Sequence, residues 1–145
     1  MRILIAFIGL TALSASASEF SGTWKGTGDM ETSTWGKLQI KEVSVEITKS
    51  PTNLYFKDCW KFIKDQGDWT VCSPTDLEIR KGTELWNKEF RVGEIREDLI
   101  RIEYSNSDFS IGAKAEIDAA GRLNYVYTSL DSHGGYIRQS AILTK

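Results

Sequence analysis

Apolar residues in this chain recur at every second position, in short runs divided by turn residues. That period belongs to a strand with one face buried, and no stretch shows the 3.6-residue period of an amphipathic helix. The cleanest example is Phe109, Ile111, Ala113, Ala115 and Ile117, alternating with small or polar residues. Expected strands cover residues 20–30, 36–49, 54–63, 69–72, 75–81, 84–86, 90–95, 99–104, 109–117, 123–127 and 136–144. Only two prolines occur, Pro51 and Pro74, and both are expected at turns. Rare proline suits a sheet that needs most of its ladder hydrogen bonds. Short strands joined by short turns predict an all-β, antiparallel fold, a sandwich or an up-and-down barrel. A barrel of roughly eight to ten strands is preferred, because closure removes the exposed edges that make open sheets associate.

Two strands carry signs of curvature. In 20–30, Gly22, Gly26 and Gly28 alternate with bulkier residues, as expected where backbone bends or approaches backbone closely. In 36–49, Leu38 and Ile40 share one phase, and Val43, Val45 and Ile47 share the other. A β-bulge at Lys41-Glu42 keeps both sets on one face and bends the strand. Gly93 interrupts another alternation in the same manner. Gly121 suits the left-handed position of a tight hairpin loop after Asp118.

The N-terminus reads as an export signal. Met1-Arg2 is a short positive region, 3–13 is an apolar run, and Ala15-Ser16-Ala17 is a small-residue cleavage site. Cleavage leaves 18–145 as one domain, which is expected in the periplasm or the medium. No later apolar run is long enough to span a membrane, so no membrane insertion is expected. The formal net charge is −2 with both signs interspersed, which disfavours nucleic acid as a partner. Cys59 and Cys72 are the only cysteines, and in an exported chain the default is one disulfide, worth about 3 kcal/mol by loop entropy. A metal site is the poorer alternative, since two thiolates and the single histidine do not complete one.

In 54–63, Leu54, Phe56, Asp58, Trp60 and Phe62 share a face, and the lysines opposite mark it as the inner one. Asp58 therefore stands among aromatics. A carboxylate there is desolvated unless paired, and it is expected to meet either a ligand's cationic or hydroxyl group, or a base such as Arg80 or Arg101. Phe56, Trp60, Tyr104, Phe109, Tyr125 and Tyr127 are the other candidates for the barrel interior. In a hollow barrel they line an apolar pocket; in a filled one they are packing. Asp131, Ser132 and His133 share one turn and cannot adopt the geometry of a catalytic triad. No phosphate loop follows Gly26-Thr27-Gly28. A non-catalytic barrel is expected, holding a small apolar or aromatic ligand. The alternative is a filled barrel that acts through outer loops, marked by exposed tryptophans at Trp35, Trp69 or Trp86.

The Gly22-Thr23-Trp24 motif on the first strand, with Arg138 on the last, resembles the calycin group: lipocalins, fatty-acid-binding proteins, avidins and nitrobindin-like barrels. The resemblance implies that Trp24 plugs one barrel end and that Arg138 stacks on its ring, a framework role for both. Residues 23–28 are also similar to the opening of nitrobindin-like haem proteins. That resemblance implies a haem ligand near the C-terminus, for which His133 is the candidate; otherwise no cofactor is expected.

Overall fold

The structure, a computed structural model, describes residues 19–145. The expected export signal lies outside the described residues. Ten strands follow in order: β1 (Gly22–Thr32), β2 (Gly36–Lys49), β3 (Asn53–Lys64), β4 (Gly67–Arg80), β5 (Glu84–Asn87), β6 (Phe90–Ile95), β7 (Leu99–Ser105), β8 (Phe109–Ile117), β9 (Leu123–Asp131) and β10 (Tyr136–Thr144). Each pairs antiparallel with its sequence neighbours, and β1 pairs with β10, closing an up-and-down barrel.

Closure depends on close backbone packing at the β1–β10 seam. A Cβ added at Gly26 or Gly28 would run into the carbonyl oxygens of Ile142 and Ser140 respectively. The two glycines leave no room for a side chain at the seam, in keeping with their spacing in the sequence. The β2 bulge also falls where the phase change puts it. The β2–β3 register passes from Ile40↔Phe62 to Glu42↔Lys61, leaving Lys41 as the extra residue. Both apolar sets of β2 thereby face the interior. The β5–β6 register also shifts, Trp86 pairing with Arg91 and Leu85 with Gly93. Gly121 adopts φ 77° in the β8–β9 loop.

One expectation is corrected. Pro74 does not end a strand: 69–72 and 75–81 are parts of the single long β4, and Pro74 pairs with Lys57 inside it. The reason lies on the other side of β4. There β5 pairs only with Glu78–Arg80, so the rest of β4 meets no strand on that side among the described residues. A missing N–H at Pro74 breaks no ladder on an open edge.

The Cys59–Cys72 disulfide is present, joining directly paired residues of β3 and β4. Both alternate with the inner residues of their strands, so the bond lies on the outer wall. Cross-strand ion pairs share that wall, Lys61–Glu42 at 3.4 Å and Lys57–Glu46 at 3.8 Å.

Candidate functional site

The barrel is filled at one end and hollow at the other. The filled end gathers the first residues of β1, β3, β5 and β9 and the last of β6 and β10. Phe20, Trp24, Leu54, Leu85, Ile95, Leu123 and Leu143 pack there, fully buried. The Trp24 indole N–H donates to the Phe20 carbonyl at 2.8 Å. Trp24 thus plugs this end, but Arg138 does not cover it. Lys145 places its ammonium 4.9 Å from the centre of the Trp24 ring, while the Arg138 guanidinium lies 4.6 Å over Tyr136. Register explains the difference. Arg138 pairs with Glu31 near the far end of β1, whereas Lys25, beside Trp24, pairs with Thr144. Arg138 is also exposed, in the outward phase of β10, between the inward Gln139 and Ile137 that line the cavity.

Beyond this plug lies a cavity of about 730 Å³. Of the residues singled out in the sequence, Phe56, Asp58, Tyr104, Phe109, Tyr125 and Tyr127 all line it. Trp60 does not. It is buried in the wall beside the cavity, and its indole N–H donates to Asp58 Oδ2 at 3.0 Å. The volume matches sites for drug-sized molecules, and the lining is predominantly apolar with a few polar groups.

Depth divides the lining. Asp58 and Tyr125 are buried, whereas Trp35, Phe90, Phe109 and Ile137 are partly exposed and surround the opening. Tyr104 joins the rim cluster, with its ring centre 5.7 Å from Phe109 and 6.4 Å from Phe90. The opening continues along the unpaired part of β4, where Val71, Ser73 and Thr75 line the wall.

The lining residues missed by sequence reasoning fall into two kinds. Met30, Val92 and Gln139 are unremarkable members of alternating strands. Phe90 is likewise in phase with Val92 at the start of β6, whereas Trp35 lies in the turn between β1 and β2, where alternation says nothing about direction. Trp35 folds over the mouth and lies 6.2 Å from Phe62, between ring centres.

Asp58 is the chemical exception in this apolar site. Neither Arg80 nor Arg101 reaches it. Arg80 pairs with Glu78 at 3.0 Å and Arg101 with Glu94 at 3.5 Å, both on the outward phase of their strands. Burial pushes the Asp58 carboxyl above its usual value, against the opposing effect of the Trp60 hydrogen bond. Tyr125 is pushed well above the usual phenol value, first by burial and then by the nearby Asp58 charge.

His133 does not face the cavity. It sits exposed in the β9–β10 turn, its Nδ1 3.2 Å from Ser132 Oγ. Asp131 organises that turn by accepting from the backbone N–H groups of Gly135 and His133, each at 2.8 Å. His133 is therefore not placed to ligate a haem held in the cavity. No group of three or more metal-ligating side chains occurs among the described residues.

No protein-family model and no curated protein matches the chain. Among solved structures, a redesigned β-barrel is similar to it, at 13% identity over 89% of this chain and 93% of that one, with a TM-score of 0.44.

Proposed function

We propose that the protein is an exported, calycin-like binding barrel that holds a small, largely apolar ligand in its open half. The observation that carries this reading is the division of the interior: a packed apolar plug at one end, and at the other an aromatic-walled cavity of about 730 Å³ with an open mouth. A barrel built only as a scaffold has no use for such a void, since empty apolar space forfeits packing contacts. Export is part of the proposal. It is supported by the N-terminal pattern and by the disulfide, which suits an oxidising compartment. The ion-paired outer wall suits a water-facing barrel rather than a lipid-facing one.

The test is uptake of Nile red, an uncharged apolar fluorophore. The protein should enhance and blue-shift its emission saturably. Replacing Ala113, a lining residue, with Trp intrudes on the cavity and should weaken the change while the circular dichroism spectrum stays that of a β-protein. An affinity for Nile red that is unchanged in Ala113→Trp would refute the cavity as the site.

A second reading has its own support. Trp35, Trp69 and Val71 are each about half exposed at the mouth end. The Lys64 ammonium lies 4.9 Å from the Trp35 ring and 5.3 Å from the Trp69 ring. This patch suits contact with another protein through the β3–β4 hairpin.

A further inference from the structure

We propose that the occupant of the cavity is an organic cation: a molecule with an aromatic or aliphatic body and one ammonium group, seated on Asp58. The inference rests on the binding reading above and specifies its ligand class.

The charges of the cavity are simple. Asp58 is the one acid among its lining residues, and Lys88, in the turn between β5 and β6 at the mouth, is the one base. Asp58 is 6% exposed, while Lys88 is open to solvent. No described cation forms an ion pair with Asp58; Lys41, Lys61, Arg80 and Arg101, on β2, β3, β4 and β7, pair instead with surface acids. One carboxylate oxygen, Oδ2, accepts from Trp60. That bond, with an interaction with its own backbone N–H, holds the carboxylate on the cavity wall and leaves it capacity to accept more, since an ionised carboxylate offers about four lone-pair sites.

A packing role does not explain the charge. An amide carbonyl also satisfies an indole N–H, without the desolvation of an ion. What a carboxylate adds is attraction for a positive group, and that attraction is strong where water is excluded. The surrounding rings act in the same direction. Phe56 and Tyr125 line the cavity with Asp58, and aromatic faces attract ammonium groups. An anionic ligand meets repulsion at this wall, and a neutral one leaves the carboxylate desolvated and unpaired.

The experiment is displacement of Nile red by three compounds of one skeleton: 2-naphthylmethylammonium, 2-naphthalenemethanol and 2-naphthoate. The cation should bind about 10- to 100-fold more tightly than the alcohol, as a charge-assisted hydrogen bond implies, and the carboxylate most weakly. In Asp58→Asn, which retains an acceptor for Trp60, the preference for cation over alcohol should fall to near unity. Equal affinities in the wild type, or a preference for naphthoate, would overturn the cation proposal while Nile red uptake upheld the binding barrel. A preference that persists in Asp58→Asn would overturn it too, by placing recognition elsewhere. The wild-type series decides the matter if that variant does not fold. Absence of Nile red uptake, with none of the three compounds bound by calorimetry, would remove both readings together.

Discussion

Asp58, the charged group of the proposed site, is placed at a cost to the fold. Its folded pKa is raised above the ordinary carboxylate value of 3.8, chiefly by burial. Below that ordinary value the group is protonated in both folded and unfolded chains, and its stabilising contribution is complete. As pH rises through the raised folded value, the folded state must accommodate a buried anion that the unfolded chain hydrates freely, and stability is lost. Asp58→Asn avoids this loss and keeps the Trp60 hydrogen bond. The variant should therefore be more stable than the wild type at pH 7, by roughly 1 kcal/mol, with the difference vanishing near pH 3. Urea unfolding at the two pH values measures it. An Asn variant that is less stable at pH 7 would show that the carboxylate has a structural partner. Gains of this kind at the expense of binding are common where a site holds a desolvated charge.

At the level of the strand, β4 is the element that departs most from a regular barrel wall. Most of its length is held by β3 alone, because β5 reaches only Glu78–Arg80. The Cys59–Cys72 bond lies in that singly held stretch, between directly opposed residues. The disulfide constrains the unfolded chain, and it also tethers the strand that borders the cavity opening. Reduction should lower the unfolding free energy by about 3 kcal/mol, as read from urea midpoints of oxidised and reduced protein. A loss under about 1 kcal/mol would mean that the β3–β4 ladder needs no covalent support. Pro74 fits the same picture: on this open edge a residue without an N–H deters pairing with another strand.

Across the whole molecule, the two halves of the barrel are expected to respond differently to truncation. Leu123 is fully buried in the plug, where a void cannot collapse easily. Leu123→Ala should cost about 2–5 kcal/mol. Phe109 borders the mouth and is 39% exposed. Phe109→Ala should cost about 1 kcal/mol or less and weaken Nile red uptake instead. Chemical denaturation and dye titration of the two variants check the pair, and similar stability losses at both sites would contradict a plugged and a hollow half. Period-two alternation by itself determined most of the architecture. It assigned inner and outer faces, required the bulge at Lys41, put Asp58 inside among aromatics and left the cysteines outside. These are local properties, because a strand's side chains alternate wherever it is placed. Three features were decided only by the closed barrel: which inner residues meet across the interior, which end is filled, and which base covers Trp24. Each depends on strand tilt and on register between residues distant in sequence. Arg138 is aligned with Glu31 rather than Trp24, Pro74 is tolerated because β5 is short, and Trp35 reaches the cavity from a turn that has no period to read.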